Sequence, residues 1–333
     1  MEPTISLLSS QKVTVREEGT ATYRRTMKDY IGVALRGFCM GAADVVPGVS
    51  GGTMAFILGI YDELIHALHA INLTFFRRLF RLQWRAAFAD LPWQFLLALG
   101  LGIGTAIFTL AEGLSWALHH HPELVRAFFF GLVLASAVTV RRRVRQWTAP
   151  MLILSLLATI GAYLLVGLTP AETPHTPVFL FFSGAIAICA MILPGISGAF
   201  ILVLLGQYLY ILDAVTRLDV FTLGIVASGA AVGLLSFVRL LRWLLMRSHD
   251  LVIAFLIGLM VGSLRKIWPW KALALPANPL TRSHHALLPT YDYNVLPAEF
   301  TPEVGLTIGL MGLGFGVVLV IEHLAARRRQ VST

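Results

Sequence analysis

The chain has 333 residues, 57% hydrophobic and only 13% charged, with a formal net charge of +8. Soluble domains carry about 25% charged residues, so this is a membrane-class composition, as the mean hydropathy of +0.76 also indicates. The positive balance does not indicate nucleic acid, because the basic residues lie in short loops between apolar runs, as they do on the cytoplasmic side of membrane proteins.

Residues 1–28 are polar and of mixed charge, with no short apolar core leading to a small-residue cleavage site, and read as a flexible cytoplasmic tail. The first apolar stretch, about 30–66, is interrupted by PGVSGG at 47–52. Helices are predicted over about 92–113, 122–140 and 150–168. A second interrupted stretch, about 179–212, contains PGISG at 194–198, and helices follow over about 220–241, 250–265 and 303–323. About 20 apolar residues cross a hydrocarbon core of about 30 Å, so the expectation is an all-α polytopic membrane protein. Residues 326–333 are a basic cytoplasmic tail.

The halves resemble each other. PGVSGGTMAFILGIY aligns with PGISGAFILVLLGQY, pairing Ser50 with Ser197, Gly51 with Gly198, Gly59 with Gly206 and Tyr61 with Tyr208. Independently, ELVRAFFFGLVLAS (123–136) aligns with DLVIAFLIGLMVGS (250–263). This is an internal duplication, with repeats at 29–168 and 169–325 and an external loop at 267–302 in the second. Each repeat holds one broken stretch and three helices.

Lysine and arginine set the orientation. Twenty fall in segments assignable to one side and five to the other: Arg217, Arg265, Lys266, Lys271 and Arg282. Basic segments flank the first broken stretch on both ends, whereas the second is flanked by segments holding one arginine. Each stretch therefore enters and leaves on one side, as a re-entrant hairpin, and the two do so from opposite sides. The repeats are then inverted and both termini cytoplasmic. Arg265 and Lys266 fit this orientation least well.

Unpaired backbone amides cost several kcal/mol each in hydrocarbon, so irregular backbone at that depth must be packed in protein or line a wet cavity. Proline ends a half-helix, glycine permits reversal, and Ser50 or Thr53 offers an N-cap oxygen. Each tip would present bare amides near the midplane, attractive to an anion and above all to phosphate. Two such tips meeting between inverted repeats are the architecture of secondary transporters. The binding candidates are therefore Gly48, Val49, Ser50, Gly51, Gly52 and Thr53 in the first tip, and Gly195, Ile196, Ser197 and Gly198 in the second. The LGLGIG run at 99–104 reads instead as close helix packing.

Ionisable residues inside a membrane are functional candidates by default. Asp44 precedes Pro47 by three residues and pairs with Met191 in the other repeat, so the acid is one-sided; it can couple transport to a proton or cation, hydrogen-bond the tip, or pair with Arg36. Arg36 and Arg126 are candidate phosphate ligands, with Glu112 an alternative structural partner for Arg126. Trp268 and Trp270 suit an interfacial belt. His119, His120 and His121 are expected in one short external turn, from which they cannot converge on a metal, so no metal site is assigned. Cys39 and Cys189 read as packing residues and support no disulfide. No cofactor is expected, and a homodimer is admitted but not specified.

On GFCMGAADVVPGVSGGTMAFILGIYDELI (37–65) and AICAMILPGISGAFILVLLGQY (187–208) the chain resembles the PopT-type polyprenyl-phosphate transporters. That resemblance covers nearly the whole chain outside the basic tail and the 267–302 loop. It implies a substrate, undecaprenyl phosphate, returned from the outer to the inner leaflet of the bacterial cytoplasmic membrane. Two other readings stay open at this point. One is a polyprenyl-pyrophosphate phosphatase with Ser50 or Ser197 as nucleophile, although neither motif supplies an adjacent Arg, His or Glu. The other is a transporter of a small anion.

Overall fold

A computed structural model of the chain describes residues 13–14, 22–23, 26–45, 49–142, 144, 146–168, 170–171, 173–274 and 291–330. Helices account for most of the described residues, with almost no strand among them. Four described helices are long and apolar enough to cross a membrane, or five if one bent pair counts as a span. The sequence expectation of an all-α polytopic membrane protein stands.

The elements follow the predicted order. Helix α1 (Met27–Asp44) leads to the first motif, after which α2 (Gly51–Ile57) and α3 (Tyr61–Ala70) return. Two short helices, α4 (Leu73–Phe80) and α5 (Trp84–Ala89), precede α6 (Trp93–His120), α7 (Pro122–Arg141) and α8 (Ala149–Leu165). The second half repeats this with α9 (Pro177–Ile192), α10 (Gly198–Leu204) and α11 (Tyr208–Thr216), then α12 (Val220–Ser263) and α13 (Pro302–Gln330). Helix α12 is interrupted at Ser248, whose φ of −149° and ψ of 59° are not helical, so it comprises two helices end to end. Strands β1 (Val13–Thr14) and β2 (Thr22–Tyr23) pair antiparallel, as do β3 (Lys271–Ala274) and β4 (Tyr291–Asn294).

The pairing of the halves extends to the backbone. Ser248 aligns with His121, which joins α6 to α7 at φ −137° and ψ 56°. Gly59 and Gly206 both adopt positive φ, at 71° and 65°. The packing matches as well: α1 lies on α6 as α9 lies on the first half of α12, and α7 lies on α13 as the second half of α12 lies on α8. Aligned glycines make these contacts. A Cβ on Gly131 would sit 1.9 Å from the Met311 carbonyl oxygen, and one on Gly258 would sit 2.3 Å from that of Ser155. In LGLGIG, Gly102 does pack closely, its Cβ position 2.0 Å from the Ala34 carbonyl oxygen, whereas Gly100 and Gly104 face open space. The two halves are thus interleaved, each supplying a helix to the other.

The structure corrects several expectations. Each returning arm was expected to be one half-helix, but it bends again at Gly59 or Gly206, and α10 and α11 diverge by 111°. The repeated glycine in the left-handed region is the cause, since other residues take that conformation at a cost. Helices α1 and α9, of 18 and 16 residues, rise about 27 and 24 Å.

His119 and His120 end α6 rather than lying in a turn; His120 stacks on Trp116 and His121 meets the same ring edge-on. No group of three metal-ligating side chains occurs among the described residues. Trp268 is half-buried rather than a free belt residue: its Nε1 donates to the Val295 carbonyl at 2.8 Å and its ring meets Phe130.

Arg265 donates to the Tyr163 carbonyl at 2.8 Å and covers the Tyr163 ring, 4.4 Å from its centre. That carbonyl is in the last turn of α8, where helix oxygens lack intrahelical partners and a cation is favoured. Lys266 lies 5.0 Å from the Phe200 ring centre, and Arg217 pairs with Asp213 at 2.9 Å. Each of these basic residues thus has a local partner.

The buried core runs where the two motifs meet the middle helices, through Met40, Phe56, Ile65, Phe129, Leu256 and Met260. The outer faces are apolar too: Ile153, Leu156 and Leu157 of α8 and Val320 of α13 are each more than half exposed. A surface this greasy is a liability in water and a fit to lipid.

Candidate functional site

The two motifs fold into direct contact. In the first, Val49 and Ser50 are buried, Ser50 is extended, and α2 begins at Gly51. Ser50 is its N-cap, with Oγ accepting from the Gly52 N–H at 3.1 Å. The Ser50 carbonyl accepts from Thr53 at 2.9 Å. Asp44, the last residue of α1, places Oδ1 2.6 Å from the Gly51 nitrogen. The expected bare amides are thus already engaged: an internal carboxylate occupies the place predicted for an anion. A Cβ on Gly51 would fall 2.4 Å from Asp44 Oδ2, so any larger residue here displaces the carboxylate.

The second motif arrives from α9. Gly195 has φ +94°, and its N–H donates to Thr53 Oγ1 at 2.8 Å, joining one tip to the other. Thr53 is wholly buried, so this bond forms away from water. A Cβ on Gly52 would lie 2.9 Å from the Ile192 carbonyl oxygen, so the tips touch backbone to backbone. Gly195 also seats on α12, where a Cβ would meet the Leu259 carbonyl oxygen at 2.9 Å and Ser263 Oγ at 3.0 Å. Gly198 closes against the Ala187 carbonyl of its own α9, and Ile196 packs into the core. Ser197 caps α10 in position only, with no side-chain cap bond.

Of the predicted site residues, Asp44, Ser50, Gly51, Gly52, Thr53 and Gly195 form one continuous cluster. Gly48 lies outside the described residues. Arg36 is exposed on α1, eight residues and thus about 12 Å of helix rise before Asp44. Arg126 donates to the Pro269 carbonyl at 3.3 Å, in the segment after α12. Neither arginine belongs to the tip cluster. The tips were expected to be electropositive; the titratable group the structure brings to them is instead the Asp44 carboxyl.

Sequence reasoning missed a polar knot at the second bend. Gln207 is wholly buried, its Nε2 donating to Thr173 Oγ1 at 2.6 Å and its Oε1 2.9 Å from His175 Nδ1. His175 stacks on Tyr210 at 4.2 Å. In the first repeat the aligned residue is Ile60, buried in the core. The GQY against GIY difference was the available signal.

A crevice of about 490 Å³ opens between α1, α6, α7 and α13. It is lined almost entirely by apolar groups, among them Ala42, Leu114, Val125, Phe129 and Leu310.

Residues 40–281 match the family described as VCA0040-like, undecaprenyl phosphate translocase-like. The chain belongs to this translocase-like family. A polyprenyl-phosphate transporter of Vibrio cholerae serotype O1 is 44% identical over 311 residues, covering 90% of this chain and 98% of that protein. One of Staphylococcus aureus is 29% identical over 265 residues, covering 73% and 87%. No solved structure matches the chain. Membership makes the chain a transporter rather than an enzyme, which removes the phosphatase alternative. In the translocase-like fold Ser50 Oγ serves the Gly52 amide as a cap.

Proposed function

We propose that the chain carries polyprenyl phosphate, specifically undecaprenyl phosphate, from the outer to the inner leaflet of the bacterial cytoplasmic membrane, returning a lipid carrier used in cell-wall synthesis. The observation that carries the reading is the junction of the two PG(V/I)SG tips at Thr53 and Gly195. The names of the relatives supply the substrate class.

The difficulty in moving this lipid is its phosphate, since an isolated ion in a low-dielectric interior costs on the order of tens of kcal/mol by Born estimates. A buried, polar, glycine-lined junction can replace lost hydration. In this reading the phosphate competes with the Asp44 carboxylate for the Gly51 amide. Protonating Asp44 weakens its hold and frees the amide, which couples headgroup binding to a proton; a cation at Asp44 would act in the same sense. The long tail stays in the bilayer, and the apolar crevice beside α1 and α7 offers it a lateral path. The inverted, re-entrant arrangement, with repeats at 29–168 and 169–325 and both termini cytoplasmic, is part of the proposal. It is supported by the lysine and arginine distribution and by the paired backbone geometry. Arg36 and Arg126 are proposed as headgroup ligands before or after the tips rather than at them. The bilayer and the lipid are the partners the reading requires, and a homodimer remains outside it.

Purified protein in liposomes, with polyprenyl phosphate measured in each leaflet, tests this. Protein-dependent exchange is expected, with no comparable flux of inorganic phosphate. Flux of inorganic phosphate without lipid exchange would instead establish the small-anion transporter. Asp44→Asn should flatten the pH dependence of exchange while leaving the protein folded, because an amide oxygen still accepts from Gly51. An unchanged pH profile would remove Asp44 from the coupling.

A further inference from the structure

We propose that His66, His69, Arg239 and Arg242 form a phosphate-binding site, separate from the tips, where α3 meets the first half of α12. The site rests on the transport reading and deepens it. It is the station for a phosphate monoester on the side that carries most of the basic residues.

Spacing and packing bring the four together. His66 and His69 are three apart on α3, and Arg239 and Arg242 three apart on α12, so each pair shares a helix face. The two helices pack against each other. Arg242 is near enough to act on both imidazoles, and Arg239 on His69. His69 lies beyond the apolar stretch 30–66, and burial, then Arg242, Arg239 and His66, lower its basicity.

The cluster lacks the partners such groups ordinarily have. His69 Nδ1 is buried without a hydrogen-bond partner. The ion pairs among the described residues are Arg78–Asp90, Arg217–Asp213 and His249–Asp250, none of which uses Arg239 or Arg242. Glu63 lies one turn before His66 on α3 and is not among the influences on His69. A basic residue in the last turn of α3 is explained by the helix dipole alone. Two arginines three residues apart on a second helix packed against α3 are not.

The chemistry selects the ligand. Guanidinium groups present planar donor forks that match phosphate oxygens, and such charge-assisted bonds are roughly twice as strong as neutral ones. Imidazoles of lowered basicity supply N–H donors that a phosphate dianion accepts. The same donor set would repel a cation and leave a neutral alcohol unrecognised.

The test uses the full chain, labelled at histidine, in phosphatidylcholine nanodiscs, with ring resonances followed by NMR. The probes are a short-chain polyprenyl phosphate, the matching polyprenol and inorganic phosphate. The polyprenyl phosphate should shift the His66 and His69 signals, and the polyprenol should not. Arg242→Gln should weaken the response about tenfold; Arg239→Gln, at an exposed position that does not threaten the fold, should weaken it less. A response to the lipid at concentrations where inorganic phosphate gives none identifies a lipid headgroup, and equal responses identify free phosphate. No shift with either phosphate, or wild-type binding in both variants, overturns the site. Ring shifts without leaflet exchange in liposomes would leave the site and sink the transport reading; exchange with unmoved rings would do the reverse.

Discussion

The two hairpins share a scaffold and differ in their polar chemistry. At the first tip Asp44 holds the Gly51 amide; at the second the aligned residue is Met191, 45% exposed, and Ser197 makes no cap bond. At the bend the asymmetry reverses. The first has Ile60 and Tyr61 in the core, and the second has Gln207 tied to Thr173 and His175, with Tyr208 turned outward. The two halves thus share backbone geometry at Gly59 and Gly206 and differ in the polar side chains at the tip and at the bend. A titratable group reaches the tips from one repeat only, and an amide lock braces the bend of the other.

The most disruptive test of this comparison is Gly195→Ala. A left-handed conformation costs a non-glycine residue roughly 1–2 kcal/mol, and overpacking adds about 1–3 kcal/mol, here against the Leu259 backbone. Thermal unfolding in detergent should show a large drop in midpoint and a low folded yield. Gly104→Ala, facing open space, should leave both unchanged. An unaffected Gly195→Ala protein would mean that the second tip does not seat on α12.

Exchanging the bend residues comes next. Ile60→Gln places an amide among apolar neighbours without the Thr173 and His175 partners, at a cost of about 1–3 kcal/mol. Gln207→Ile keeps the volume apolar but leaves the His175 ring without its amide partner, for about 1–2 kcal/mol. If the two unfolding midpoints fall equally, the bends are equivalent and the asymmetry argued above is false.

Thr53→Val is a smaller and more local change. It leaves the Gly195 N–H buried without an acceptor, worth about 1–2 kcal/mol. Leaflet exchange should fall more than stability does, because the bond links the tips. Thr53→Ser restores the acceptor and should recover most of both; if valine and serine behave alike, the hydroxyl is not what joins the tips.

The sequence carried the parts of this architecture that depend on local pattern. Apolar run lengths gave the helices, and the repeated PG(V/I)SG strings gave the breaks. The glycines of the 123–136 and 250–263 segments fell at matched crossings. What it did not carry were contacts made by chain reversal or between repeats. Asp44 meets Gly51 only because the chain turns back within seven residues, and nothing in the spacing distinguishes that from pairing with Arg36. Thr53 finds Gly195 across the whole interface between halves. The bend at Gly59 and Gly206 was visible as an aligned glycine, but a glycine in an apolar helix reads equally as a packing residue, as Gly102 is. His66 and His69 were unreadable because their partners lie on a helix more than 160 positions away.

The smallest expected effect lies at the start of the long helices. Asp219 begins α12, with its carboxylate accepting from Thr222 Oγ1 at 2.6 Å and from the Phe221 and Thr222 amides at 3.2 Å. The aligned N-cap of α6 is Pro92, which makes no side-chain cap bond. The Thr222 hydroxyl and amide bonds hold the Asp219 carboxyl below its ordinary value of 3.8. A carboxyl depressed by folding contributes stability that is complete above the unfolded pKa and fades as pH falls through the folded one. Asp219→Asn keeps a capping oxygen but loses the charge. Its unfolding midpoint should therefore sit slightly below wild type at pH 7 and at pH 5. The gap should close as the pH is taken below 3.8, and a gap that persists at low pH would show that the carboxylate charge is not what secures this end of α12.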